Sequence, residues 1–351
     1  MENERPCLLS MSMEELQSLL AELSQPSFRA KQLFAFLQKG TAPEAMSSLP
    51  KALRDTLFQR YPAYPAEILQ TRCSSVDDTV KFLFGFADGN CVEGVLMHYH
   101  YGYSLCISTQ VGCKMGCAFC ASTLNGCVRN LTRWEMLGEV LCANHFLQDK
   151  GETVGHIVLM GSGEPLDNYD EVMAFLQLVN DPARLNISLR NISLSTCGLV
   201  PKMYDLADAH LPVTLSVSLH APNDAVRKTM MPVANVYPMD ELLKACRYYI
   251  EKTGRRVIFE YALVSGVNAS PQQAVELAGR LRGMQCHVNL IPLNEVKERG
   301  LSGVNEKQVQ DFLHTLEDCH ISATRRREMG DDIEGACGQL RRKVLSEGGT
   351  L

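Results

Sequence analysis

The chain has no apolar stretch approaching the roughly 18 to 20 uninterrupted residues that a membrane span needs. Its first residues, MENERPCLLS, lack the charged-then-apolar pattern of a secretion signal. These absences point to a cytoplasmic protein. A dominant positive field is missing too: 34 Lys and Arg face 40 Asp and Glu, a net charge of −6 over 351 residues. That balance argues against a protein that coats nucleic acid through bulk basicity. There are no low-complexity tracts. With 46% hydrophobic and 21% charged residues, what remains is a globular chain with apolar material for one large core and a smaller one.

What the chain does have is cysteine, 14 of them. Without a secretion signal these thiols are expected to be reduced, so metal binding or catalysis is considered before a disulfide framework. Cys142, Cys246 and Cys319 fall inside helix-like apolar patterns and read as packing, as do Cys7, Cys73, Cys91, Cys127, Cys197 and Cys286. Cys106, Cys113, Cys117, Cys120 and Cys337 are left.

The first hundred residues read as a small helical module. Ser12 and Glu15 form a capping box ahead of Leu16, Leu19, Leu20 and Leu23, which share one helical face. Further helices are expected in SFRAKQLFAFLQKG, stopped by Gly40, and in LPKALRDTLFQRY. Residues 26–60 carry six basic and two acidic residues, a local +4 that suits either an RNA-facing surface or a solvated helix face. TVKFLF and VEGVLMHY around Asp88-Gly89-Asn90 predict a β-hairpin. Six strand-then-helix units follow, with strands in SLCIS, HIVLM, NISLS, VTLSVSL, VIFEYALV and HVNLIP. They imply an α/β protein with a parallel sheet, as an open doubly wound sheet or a partial barrel. Either architecture places chemistry at the C-terminal strand ends. There lie the cysteine loop, GSGEP, STCG, SLH and NLIPLN.

Cys113, Cys117 and Cys120 make C-x3-C-x2-C, a spacing that chance would produce roughly 0.02 times in a chain this long and this rich in cysteine. Three thiolates on a tight loop can hold three irons of a 4Fe–4S cluster and leave the fourth open for substrate. A zinc site would need a further ligand, and His98 and His100 precede the loop by more than ten residues.

At these residues the sequence resembles the radical S-adenosylmethionine (SAM) superfamily, with Phe119 as the aromatic before the last cysteine and Gly161-Ser162-Gly163-Glu164-Pro165 as its GGEP-type motif. A narrower resemblance spans nearly the whole chain. SFRAKQLF, CISTQVGCKMGCAFC, GCVRNLT, MGSGEPLDN, LSTCGLVP, SLHAPND, NLIPLN and GDDIEGACGQL are similar, in order, to the RlmN/Cfr family of adenine-carbon RNA methyltransferases, and most of all to its RlmN branch. The resemblance implies a partial (β/α)6 barrel over 99–325, a helical accessory domain with a β-hairpin over 1–98, and a C-terminal segment over 326–351. It also implies a 4Fe–4S cluster and SAM as cofactors, 23S rRNA and tRNA as substrates, an electron donor such as flavodoxin or ferredoxin, no membrane partner, and a monomer.

The family's chemistry answers a difficulty. C2 of adenine is electron-poor and has no lone pair with which to attack the methyl of SAM. By resemblance Cys337 carries the methyl first, a 5′-deoxyadenosyl radical removes one of its hydrogens, and the carbon radical adds to C2. Glu93 matches the proton acceptor, and Cys106 matches the thiol that resolves the thioether link by forming a disulfide with Cys337. Gly163, Glu164, Ser195, Ser218, Leu219, His220 and Asn294 match SAM contacts. Arg129 and Arg325 to Arg327 are candidates for phosphate contacts. A Cfr-type enzyme acting at C8 would share the cluster and both extra cysteines. A maturase with auxiliary clusters would need a second cysteine cluster, which the dispersed Cys246, Cys286, Cys319 and Cys337 do not form. A metal-stabilised RNA-binding module would not cleave SAM.

Overall fold

The computed structural model describes residues 7–293, 300–327 and 329–333. Near the start, the Ser12 hydroxyl accepts from the Glu15 amide and the Glu15 carboxylate accepts from the Ser12 amide, which opens α1 (Met13–Glu22) on the expected capping box. Leu16, Leu19 and Leu20 turn inward. α2 (Phe28–Gln38) and α3 (Lys51–Arg60) complete the helical module. The strands β1 (Glu67–Cys73), β2 (Val80–Gly85) and β3 (Cys91–Tyr99) then form an antiparallel set, with the β2–β3 turn at Asp88-Gly89-Asn90 as expected. β1 has no counterpart in the sequence reading.

β3 pairs antiparallel with β4 (Gly102–Cys106), where the alternation of strand and helix begins. A separate two-stranded ladder, β5 (Gln110–Gly112) with β6 (Cys127–Asn130), brackets the cysteine loop. The chain continues through α4 (Arg133–Leu147), β7 (Val154–Leu159), α5 (Tyr169–Asn180), β8 (Ile192–Thr196), α6 (Val200–Asp208) and β9 (Thr214–Ser218). It ends with α7 (Asp224–Met230), α8 (Met239–Thr253), β10 (Val257–Leu263), α9 (Pro271–Leu281), β11 (Cys286–Pro292), α10 (Glu306–Asp318) and β12 (Ala323–Arg325). All six expected strands are present. β12 adds a short seventh parallel strand.

The sheet runs β1-β2-β3-β4-β7-β8-β9-β10-β11-β12, parallel from β4 onward, so the hairpin strands continue the barrel sheet without a break. Because successive side chains alternate faces, the register sorts the residues. On one face Leu105, Ile157, Leu159, Ile192, Leu194, Leu215, Val217, Phe259, Val288 and Leu290 join the main core under the helices. The register puts Cys106, Val158, Ser193, Ser195, Ser216, Ser218, Glu260 and Asn289 on the other face, the inside of the partial barrel. Small polar residues there leave room at the strand ends. Among the described residues no helix is long and apolar enough to cross a membrane.

Candidate active site

The cysteine loop is tied down at its base and at its middle. The Cys113 amide donates to the carbonyls of Ser122 and Gly126, both at 3.0 Å, and the Gly112 amide donates to the Ser162 hydroxyl at 3.1 Å. Gly112 sits at φ +81°, and a Cβ on it would lie 2.1 Å from the Gly126 carbonyl oxygen, so a side chain there is excluded. The Ala118 amide donates to the Met230 carbonyl at 2.8 Å, and the Thr123 hydroxyl caps the carbonyls of Cys117 and Cys120. Cys117 packs with Cys197, Met230, Met231, Val233 and Val264, with Phe119 and Cys120 at the margin.

Burial holds these thiols to their protons until a metal displaces them. Burial pushes the Cys113 thiol up to about 12, with the neighbouring Cys120 and Glu164 adding to the rise. Burial raises Cys117 further, reinforced by Cys120 and Cys113. Thiols that are costly to ionise alone become ligands when a metal takes the place of the proton. Among the described residues no three His, Cys, Asp or Glu are arranged to hold a single metal ion; thiolates that each bind a different iron of a cluster need no common point. None of the described cysteines forms a disulfide. Three thiols on one loop, two of them buried, fit a three-ligand 4Fe–4S cluster.

GSGEP follows β7 and leans on the segment after β4. The Thr109 and Gln110 amides donate to the Ser162 carbonyl at 2.8 and 3.1 Å, and the Gly161 amide donates to the Ile107 carbonyl at 3.0 Å. A Cβ at Gly161 would meet the Ile107 oxygen at 2.6 Å, and one at Gly163 the Gln110 amide nitrogen at 2.7 Å. These glycines are therefore required by the close approach of the protein's own backbone. Glu164 is buried. Its carboxylate accepts from the Cys197 amide at 2.7 Å and from the Leu166 amide at 3.1 Å, which joins the β7 and β8 ends. Burial raises its pKa against those hydrogen bonds.

Ser195 and Ser218 line the inner face at the ends of β8 and β9. Leu219 and His220 follow, with both amides donating to the Glu260 carbonyl. His220 takes φ +52°, and its Nδ1 accepts from the Ala262 amide at 2.9 Å, so this ring is a neutral Nε2–H tautomer. Burial drives its pKa down to about 3. Its ring meets Phe119 edge-on at 4.5 Å, which puts SLH against the cysteine loop. Asn268, which the sequence reading passed over, holds this corner: its Nδ2 donates to the carbonyls of His220 and Ala262, both at 2.7 Å, and its Oδ1 accepts from the Val264 amide at 2.7 Å.

Glu93 and Cys106 share a face. Val95 pairs directly with Cys106 across β3–β4, and Glu93 lies two residues from Val95, a diagonal neighbour at about 7–8 Å in ordinary sheet geometry. Both are buried. Lys81 on β2, fully buried, stands 3.3 Å from the Glu93 carboxylate, a partner the sequence reading missed. The Ser108 hydroxyl donates to the Glu93 carbonyl and accepts from the Ser162 amide, both at 2.9 Å, so one side chain links this strand pair to GSGEP. Cys106 packs with Val95 and Met97, and Val158, Met160 and Met329 close around them. Met329 belongs to the stretch leading toward the tail. Past it, the Gly330 amide donates to Asp77, and Asp332 accepts from the Ser74 hydroxyl at 2.6 Å and the Ser75 amide at 2.7 Å. Cys337 and Asn294 lie outside the described residues.

One expectation about phosphate contacts changes. Arg129 is held between Asp88, at 2.5 Å, and a bidentate Glu135, at 2.7 and 3.0 Å, and also donates to the Asn130 carbonyl, so four of its five N–H donors are engaged within the fold. Arg325, Arg326 and Arg327 are exposed at and beyond the C-terminal end of β12, and Arg325 reaches Glu306 at 3.3 Å.

A parallel partial barrel whose first strand leads into three cysteines, with a glycine-rich acidic turn after the second, defines a radical SAM enzyme, and the radical SAM superfamily profile matches residues 107–278. A crystal structure of a radical SAM methyltransferase from Sphaerobacter thermophilus superposes with a TM-score of 0.87 at 41% identity, covering 95% of this chain and 98% of that one. "Probable dual-specificity RNA methyltransferase RlmN" of Clostridium perfringens is 52% identical over 344 residues, 97% of this chain and 98% of its own length. The protein of the same name from Alkaliphilus oremlandii is 51% identical, covering 97% and 99%. The chain belongs to the RlmN family of radical SAM methyltransferases.

Proposed function

We propose that this protein methylates C2 of adenosine in 23S rRNA and tRNA, with Cys337 as the methyl carrier, Cys106 as the resolving thiol and Glu93 as the proton acceptor. The relatives' names supply RNA methylation. The observation that carries the finer reading is the shared face of Glu93 and Cys106, joined through Ser108 to the turn that bears Glu164.

A 4Fe–4S cluster held by Cys113, Cys117 and Cys120 would supply the electron that cleaves SAM to a 5′-deoxyadenosyl radical at its open iron. Gly163, Glu164, Ser195, Ser218, Leu219 and His220 are assigned to SAM, as is Asn294 from its match in the sequence. With its Nδ1 taken by the Ala262 amide, His220 offers the cofactor only a donor. The Cys337 thiol gives up its proton and takes a methyl from one SAM, releasing S-adenosylhomocysteine. Loss of a hydrogen atom from that methyl to the 5′-deoxyadenosyl radical, addition of the carbon radical to C2 and loss of one electron by the adduct, which balances the one spent on cleaving SAM, leave a thioether between protein and RNA. Glu93 accepts the C2 proton. The Cys106 thiol gives up its proton and the thiolate attacks the Cys337 sulfur; the carbon–sulfur bond breaks with its electron pair passing to the methylene carbon, which takes up a proton to become the methyl, and methylated adenosine leaves behind a Cys106–Cys337 disulfide that two electrons must reduce. The apolar wall of Val95, Met97 and Met160 around Cys106 keeps water away from that exchange.

The test is the Cys106→Ala variant. With reductant and SAM it is expected to accumulate a covalent protein–RNA adduct, seen as a shifted band that ribonuclease shortens. Normal turnover by this variant would end the resolving role.

A further inference from the structure

The most unusual charge among the described residues is Arg227. It lies on α7 with no exposed surface. One terminal nitrogen donates to the Cys197 carbonyl at 2.6 Å and reaches the Ser218 carbonyl at 3.3 Å. Its Nε and its other terminal nitrogen have no hydrogen-bond partner, and no described carboxylate pairs with it. A guanidinium remains protonated in a protein interior. A buried cation with two unfilled donors and no anion is expensive unless something else supplies the negative charge.

The surroundings indicate what does. Three residues further along the chain, the Met230 carbonyl receives the Ala118 amide of the cysteine loop, and Met230 and Met231 pack on Cys117. Cys197, whose carbonyl accepts from Arg227, itself packs against Cys117. Nearby, His220 is neutral, with its Nδ1 already an acceptor.

We infer that Arg227 is the fixed counter-charge of the iron–sulfur site, facing it from the Cys117 side and setting the ease with which it accepts an electron. The inference rests on the assignment of Cys113, Cys117 and Cys120 as cluster ligands. Arg227 touches no reacting atom and acts through the cluster. Net charge is one determinant of cluster potential, and adding an electron to an already anionic site is favoured by a buried cation in a medium of low dielectric. Exposed Lys114, by contrast, has a carboxylate of its own, Asp167, at 2.8 Å.

The experiment is a dye-mediated reductive titration of the anaerobically reconstituted full chain, followed by electron paramagnetic resonance, for wild type, Arg227→Lys and Arg227→Gln. Fold is checked by circular dichroism, and iron is counted per chain. Gln keeps a donor for the Cys197 carbonyl and removes the charge, whereas Lys keeps the charge. The expected result is a midpoint for Arg227→Lys close to wild type. Arg227→Gln should be shifted at least tenfold against reduction, equivalent to about 59 mV for one electron. Loss of iron by a folded Arg227→Gln with retention by Arg227→Lys also supports the inference. Equal midpoints in all three proteins overturn it. So do equal shifts, or equal loss of iron or fold, in both variants, which would make Arg227 a donor to carbonyls only. Wild type that takes up no iron would sink the cluster assignment itself, and the inference with it.

Discussion

Gly112→Ala is the substitution that most directly tests how the cysteine loop is held. Two costs separate cleanly. The φ of +81° belongs to the left-handed region, where an L residue pays about 1–2 kcal/mol. The second cost is steric, because the new Cβ would sit 2.1 Å from the Gly126 oxygen and 3.2 Å from its carbon, and these are backbone atoms that no rotamer change can move. Opening that gap pulls the Cys113 amide from its carbonyl acceptors and strains the bond from the Gly112 amide to Ser162, about 0.5–1.5 kcal/mol each. The total is about 2–5 kcal/mol.

Gly89→Ala is the control. Its φ of +77° carries the same backbone cost, yet a Cβ there meets nothing within 4 Å, so about 1–2 kcal/mol is expected. Urea unfolding of the two apo variants measures the difference, and iron per chain after reconstitution measures its consequence. Gly112→Ala should be the less stable by at least about 1 kcal/mol and should retain much less iron. Equal stabilities with full iron in both would refute the claim that this backbone contact positions Cys113.

Two further perturbations reach other parts of the site. Asn268→Ala removes three hydrogen bonds from a fully buried corner and should cost about 3 kcal/mol. It should also weaken SAM binding measured by calorimetry while leaving iron content intact; a loss under about 1 kcal/mol with unchanged affinity would contradict its role. Glu139 is fully buried, accepts from the Ser108 amide at 3.2 Å, and has its other oxygen without a hydrogen bond. Burial raises its pKa well above 4.5. A raised carboxyl pKa contributes stability that is complete below the unfolded value and is lost as pH rises through the folded one. Glu139→Gln should therefore be nearly neutral at pH 4.5 and more stable than wild type at pH 8, by about 1–3 kcal/mol in urea titrations. A gap that closes with rising pH would reverse the argument.

Local signals translated well. The capping box at Ser12, the Asp88-Gly89-Asn90 turn and the six barrel strands all depend on residues close in sequence, and the structure has them where expected. β12 is only three residues long, with Thr324 and Arg325 exposed, and its pairing with β11 is a tertiary event that no periodicity announces. β5 and β6 hid inside motifs read for chemistry. Side-chain partners were the least legible. Arg129 looked available until folding brought Asp88, 41 positions away, against it. Arg227 and Asn268 sat in stretches with ordinary helix and turn composition, and their importance comes from burial beneath strand ends far away in the chain. Glu139 lies within an apolar helix pattern, and only the β4–β5 segment shows which group it binds.

The proposed activity is the placing of a methyl group on C2 of adenosine by an enzyme that holds its cluster on Cys113, Cys117 and Cys120. The most direct measurement is mass spectrometry of nucleosides from protein-free 23S rRNA and from tRNA, after incubation with the reconstituted protein, SAM and a reductant. 2-Methyladenosine is expected in both RNAs, with 5′-deoxyadenosine formed alongside. Methyl found at C8, or no methylated adenosine at all while SAM is cleaved, would contradict that activity.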